Sequence, residues 1–276
     1  MIPREHPMTK GRLLFIGLGL HDENDITLKG LEEIKHCDTI YAEFYTSRLT
    51  NTAIPALEKK IKKKITILSR QDIENATALL DEAEKKTVAL LIGGDPMMAT
   101  THIDLRLRAR ERGIVTNIIH NSSIMTAVPG LLGLQNYKFG RTTTLPFPEK
   151  NYFPTSPYTV IKDNTQMGLH TLVLLDIQAE KNQYMTAHEG LNLLLRMEQE
   201  KKEHILNEQR IVCVVARAGS ADMILAADTI SRLIKKQFGP PLHTLVVPGE
   251  LHFMEIQALT SFAGLPEETA KKIQKL

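Results

Sequence analysis

The chain contains no tryptophan, and only 5% of its residues are aromatic. Surfaces that hold single strands by stacking bases on aromatic rings are therefore not expected. An excess of one charge is also missing. The 34 Lys and Arg residues oppose 32 Asp and Glu, and the formal net charge of +2 does not mark a nucleic-acid partner. Cysteine is confined to Cys37 and Cys213, both beside apolar runs and neither with a partner at metal-ligand spacing. No metal site is expected, and the two thiols read as reduced and buried, which suits a reducing compartment and a cytoplasmic location. No apolar run reaches the length of a membrane span. Residues 1–10 are polar with two prolines, unlike a signal peptide or lipid anchor, and read as a flexible extension in which Met8 is an alternative start. Fixed-period repeats and low-complexity tracts are absent too.

What is present is core-forming sequence in short, regular pieces. The chain has 276 residues, of which 42% are hydrophobic, enough for two modest domains. Apolar runs at 13–16, 39–43, 65–68, 88–92 and 114–119 read as buried strands. Helical patterns lie between them. One is capped by Thr27 and carries Leu28, Leu31 and Ile34; one is capped by Asp72 and runs to Lys86; one starts near Thr100 and stops at Gly113. Strict alternation of this kind predicts a largely parallel sheet with helices on both faces. Residues 129–157 carry glycines and prolines but no helical period, and mark a junction. Beyond it, strands are expected at 142–147, 170–177, 210–216 and 242–247, with helices at 186–197 and 229–238 and two more at the C-terminus. The domains implied are 11–123 and 124–276. The five lysines of 58–64 read as a solvated helix face.

The strand ends hold the chemistry. In open α/β sheets ligands bind outside the carboxyl ends of strands. Strand 88–92 runs into Gly93-Gly94-Asp95-Pro96, which by itself is equally an ordinary strand-to-helix turn and a ligand loop with a close backbone and one acidic acceptor. The first strand ends in Gly17-Leu18-Gly19-Leu20. A dinucleotide fingerprint would need a third glycine where Asp22 stands, so a nicotinamide-dependent dehydrogenase is the weaker reading. The fifth strand leads to His120-Asn121-Ser122-Ser123-Ile124, where free helical N–H groups could receive a carboxylate. In the second half, Ala216-Arg217-Ala218-Gly219 follows a strand in the same manner. Glu43 ends a strand near this crevice, as a candidate base or simply a surface carboxylate.

These loops, with the stretches FIGLGLHDENDIT, YAEFYTS, GGDPMMATTH, YKFG, NYFPTSPY, GLHTLVLLDI, EKNQYMTAHE, ARAGS and VVPGELH in order, resemble the tetrapyrrole-methylase-like, or class III, methyltransferases, and within them the branch that acts in diphthamide biosynthesis. The resemblance implies two α/β domains, the first a mostly parallel sheet and the second a mixed one, with a cofactor cleft between them, and a homodimer. It implies S-adenosylmethionine as methyl donor, leaving as S-adenosylhomocysteine, and methylation of the amino group of a modified histidine of translation elongation factor 2 to give diphthine. Neither nucleic acid nor membrane is an implied partner. By motif match, Leu20, Asp95, Met98, Ser123 and Ile124 would line the cofactor from the first domain, and Leu175, Ala218 and His243 from the second. His243 is otherwise a core histidine bonded within its strand. Other class III enzymes, acting on a tetrapyrrole precursor or ribosomal RNA, are the alternative. Glu43, Asp176 and the Tyr152 loop are candidate bases by location only, whereas His102, His120 and His252 read as structural. The loops 44–51, with Arg48, and 151–158 are the expected contacts for a protein substrate.

Overall fold

A computed structural model describes residues 11–45, 47, 49, 53–150 and 152–273. The N-terminal extension, Arg48 and Asn151 therefore lie outside the described residues. The chain divides into two compact units. One runs through Ile124 and includes Ala179–Lys181, and the other takes Met125–Gln178 and the chain from Asn182 onward.

In the first unit, β1 (Arg12–Gly17), β2 (Thr39–Glu43), β3 (Thr66–Leu68), β4 (Thr87–Ile92) and β5 (Val115–Ile119) form one sheet. Its order is β3-β2-β4-β1-β5 and every pairing is parallel. Successive side chains of a strand point to opposite faces, so β1 and β4 feed two cores. Leu14, Ile16, Ala89 and Leu91 pack with Ile34 and Leu57 on one face. Leu13, Phe15, Val88 and Leu90 pack with Leu79, Leu80 and Leu105 on the other. Apolar residues run unbroken along these strands because both faces are covered. The Thr27 cap forms as expected, its side chain accepting from the Gly30 N–H.

The helix expected over 72–86 is two helices, Arg70–Asn75 and Thr77–Ala83. Ser69 is the cap, and Asp72 closes the capping box from the third position. Ala76 breaks the run at φ 53°. No glycine or proline announces that break. Ile73, Ala76, Leu79, Leu80 and Ala83 nevertheless enter one core, so burial holds an alanine in a conformation its own propensity disfavours.

In the second unit, β6 (Thr143–Leu145), β7 (Thr171–Leu175), β10 (Ile211–Ala216), β11 (Ile224–Thr229) and β12 (His243–Val247) form a mixed sheet in the order β11-β10-β12-β7-β6. Only β6 and β7 run parallel. A short ribbon pairs β8 (Ile177–Gln178) with β9 (Gln183–Tyr184). Helix Ala187–Lys201 begins in a capping box made by Thr186 and Glu189. Two expectations fail here. Pro129 lies inside helix Ile124–Leu132, where its missing donor removes one helical bond. The helix expected over 229–238 is only Ile230–Leu233, and its predecessor is the strand β11. That strand reads ILAADT, too poor in branched residues to signal itself. Pairing with β10 supplies what its propensity lacks. Cys37 and Cys213 are free and buried. Burial pushes the Cys37 thiol up to about 11 and the Cys213 thiol further up. Among the described residues, no helix is long and apolar enough to cross a membrane.

Candidate functional site

Three of the strand-end loops meet at the carboxyl edge of the first sheet. Because β1 lies between β4 and β5, its loop is held from both sides. The Gly94 N–H donates to the Gly19 carbonyl at 2.7 Å, and the Gly19 N–H donates back to Gly94 at 3.3 Å. Asn121 reaches over from the β5 side, its Nδ2 donating to the Gly17 carbonyl at 2.9 Å and to the Asp25 carbonyl at 3.0 Å. The space above Gly17 is filled by this meeting. A Cβ there would lie 2.5 Å from the Gly94 oxygen and 2.7 Å from the Asn121 Cβ. Gly17 thus serves an approach of the chain to itself. Gly94, at φ 73°, is the open one, since a Cβ there would meet nothing nearer than 3.9 Å. Replacing Gly17 by Ala is expected to destabilise the fold by about 2 kcal/mol through overpacking and to spread the three loops. Thermal melting and amide hydrogen exchange at the three loops check both effects.

Asp95 is only 7% exposed, and its carboxylate is spoken for. Oδ1 accepts from the Met97 N–H at 3.0 Å. Oδ2 accepts from the Asn121 N–H at 3.3 Å and faces His120 Nδ1 at 2.7 Å. An ionised carboxylate only accepts, so Nδ1 carries the proton. The acidic acceptor expected from the sequence also staples the β4 and β5 loops together. Met98 is 41% exposed, Leu20 donates its N–H to the Asp25 carboxylate at 3.1 Å, and Ser123 and Ile124 open helix Ile124–Leu132. Four of the five first-unit residues therefore sit on loops at one sheet edge, and Ile124 is the first residue of the helix that follows.

Below the Pro96 turn lies a pair that location alone did not characterise. Glu43 is not a surface carboxylate: its side chain and that of His102 are both 0% exposed, with Oε1 and Nε2 3.6 Å apart. The Tyr45 N–H donates to Glu43 Oε2 at 3.0 Å. His102 Nδ1–H donates to the Pro96 carbonyl at 3.2 Å. Burial pushes His102 below its usual range, against the smaller effect of that carbonyl, and the ring is neutral at neutral pH. The pair supports the turn from beneath and is sealed from any substrate.

In the second unit, Leu175, Ala218 and His243 also share one edge, and the reason is topological. β12 runs antiparallel to both neighbours, pairing His243 with Ala216 and Thr244 with Leu174. It therefore starts where β7 and β10 end. The His243 ring is engaged at both nitrogens. The Ala187 N–H, the first donor of its helix, bonds Nδ1 at 3.0 Å, so Nε2–H donates to the Pro240 carbonyl at 2.9 Å. Burial depresses its pKa, leaving a neutral ring that fixes a helix start. Asp176 is likewise engaged, accepting from the Phe147 N–H at 3.0 Å and from Gln178 Nε2 at 3.2 Å.

A parallel α/β unit with converging glycine loops, joined in one chain to a mixed-sheet unit, defines a class. The chain belongs to the family of Tetrapyrrole (Corrin/Porphyrin) Methylases, whose profile matches residues 12–234. Within that family its likeness is to the diphthine synthases. It is 48% identical over 261 residues to the diphthine synthase of Methanothermobacter thermautotrophicus, covering 95% of this chain and 99% of that one. It is 52% identical over 250 residues to that of Methanocaldococcus jannaschii, covering 90% and 97%. A crystal structure of diphthine synthase superimposes with a TM-score of 0.86 at 39% identity, covering 94% of this chain and 98% of that one.

Proposed function

We propose that the chain transfers methyl groups from S-adenosylmethionine to the amino group of the 2-(3-amino-3-carboxypropyl)histidine of translation elongation factor 2, giving diphthine. The observation that carries the reading is the edge of the first sheet, where Gly94, Asp95, Ser123 and Leu20 converge in a chain alike to diphthine synthases over almost its whole length. The residues suit this cofactor. Gly94 leaves room beside its backbone, and exposed Met98 offers a soft apolar wall. Leu20, Asp95, Met98, Ser123 and Ile124 are the proposed contacts of the first unit, and Leu175, Ala218 and His243 those of the second. With both its nitrogens bonded, His243 contributes ring carbon and backbone.

When bound, the cofactor supplies a methyl group on a cationic sulfur, already activated toward displacement. What the protein adds is position and exclusion of water. The stapled loops give a rigid floor, and the apolar side chains exclude solvent. A protein-borne acceptor needs open access, for which residues 44–51 and 151–155 are proposed; the rest of the loop expected over 151–158 opens the helix Ser156–Gln166 and buries Tyr158. A homodimer, a cytoplasmic location and the absence of a nucleic-acid partner belong to the same proposal. The decisive experiment incubates the protein with labelled S-adenosylmethionine and elongation factor 2 bearing the unmethylated side chain. Label on that histidine is expected, and its absence would overturn the assignment. Calorimetric titration with NAD should show no binding.

A further inference from the structure

We infer that His120 accepts the proton that the substrate amine must lose before it is methylated, and that Asp95 is the residue that positions it. This rests on the function proposed above. An alkyl amine is protonated at neutral pH and has no lone pair to offer, so methylation requires a base near the acceptor.

Three carboxylates at the first unit's loop edge, Glu43, Asp25 and Asp95, are already committed. Glu43 is sealed beneath the Pro96 turn. The Asp25 carboxylate accepts from the Leu20 and His21 N–H groups at 3.1 and 2.7 Å. Asp95 accepts from two backbone N–H groups besides His120. The His120 side chain is different, being 70% exposed while its Nδ1 lies 2.7 Å from a carboxylate that is 9% exposed. That bond fixes the tautomer: the proton sits on Nδ1, and the lone pair of Nε2 is directed away from Asp95. Among the described residues, Nε2 has no hydrogen-bond partner. A buried carboxylate behind an exposed imidazole is the arrangement that orients a base and stabilises its cation. His21 lies on the same edge, but no carboxylate fixes its ring among the described residues.

The step balances simply. The ammonium gives one proton to His120 Nε2. The freed nitrogen then forms the N–CH3 bond as the methyl–sulfur bond breaks, and that electron pair stays on sulfur. The exposed imidazolium returns its proton to water, which readies the site for another transfer. The charged and titratable groups on the loops flanking the β5 loop are Asp95 on the β4 side and His21, Asp22, Glu23 and Asp25 on the β1 side.

His120→Asn tests this, because its amide N–H can replace the Nδ1–H bond to Asp95 while no base remains at the Nε2 position. In single-turnover assays with elongation factor 2 bearing the unmethylated side chain, the rate at neutral pH should fall about 10²–10³-fold. The deficit should shrink as pH rises and solution deprotonates the amine. Affinity for S-adenosylmethionine by calorimetry should be unchanged, and His21→Asn should methylate normally. In nitrogen-15 spectra of the wild type, the His120 ring should show the Nδ1–H tautomer, and Asp95→Asn should lose it. A normal rate in His120→Asn, or a loss matched by lost cofactor affinity, would overturn the inference while leaving the proposed function standing. Failure of the wild type to label the histidine would overturn both.

Discussion

Replacing Glu255 by Ala is expected to lower the unfolding free energy by about 3 kcal/mol, because it strands the buried His170 and the partly buried Lys138 that share one carboxylate. Lys138 Nζ donates to Glu255 Oε2 at 2.7 Å. His170, 0% exposed, lies 2.9 Å from Oε1. Its Nδ1 accepts from the Gly249 N–H at 3.0 Å, so Nε2–H is the donor to Glu255. The Gln135 and His252 N–H groups donate to the same carboxylate at 2.9 and 2.8 Å. Burial works to raise the Glu255 pKa, but Lys138, these N–H groups and His170 together hold it at about 2. The sign follows. A carboxyl depressed in the folded state binds its proton more weakly there than when unfolded, so its stabilisation is present above the unfolded value of 4.5 and lost as pH falls through about 2. Burial depresses the His170 pKa, partly offset by Glu255, so the cost of acid there begins as pH falls through the ordinary histidine value. Urea unfolding across pH should show a large gap between wild type and Glu255→Ala at neutral pH, closing between pH 4.5 and about 2. Equal stability at neutral pH would remove the network from the account.

Asp95→Ala should weaken S-adenosylmethionine binding by about thirtyfold, roughly the 2 kcal/mol of a lost charge-assisted bond, with the fold retained. The reason differs from the one suggested by an acid in a glycine loop. The carboxylate draws Met97, Asn121 and His120 together, so its removal releases the β4 and β5 loops from each other. Asp95→Asn should fall between, because one amide oxygen cannot replace two carboxylate oxygens. Calorimetric titration reads both variants, and circular dichroism checks the fold. Unchanged affinity in the alanine variant would remove Asp95 from the site.

Much of the fold is legible in the chain because local signals agree with it. The five strands of the first sheet and the Thr27 cap follow from apolar runs and one hydroxyl in the right place. Ala76 and β11 are not legible, because an alanine at φ 53° and the segment ILAADT acquire their conformations from packing and pairing. The site divides similarly. That Gly94, Asp95 and Ser123 lie on crevice-edge loops is visible from strand ends. That Asp95 faces inward, toward a histidine 25 residues away, is not.

By itself, then, the sequence determined the alternation of strands and helices, the loops on which chemistry sits and the family whose motifs they carry. These depend on neighbours within a few residues of one another. The tertiary structure alone decided which polar groups meet. It placed β1 between β4 and β5 so that their loops lock above Gly17, buried Glu43 against His102, and used the antiparallel run of β12 to bring His243 beside the ends of β7 and β10. The physical reason is that a hydrogen-bond partner is chosen by position in space. Sheet order, which brings residues far apart in the chain to one edge, sets that position.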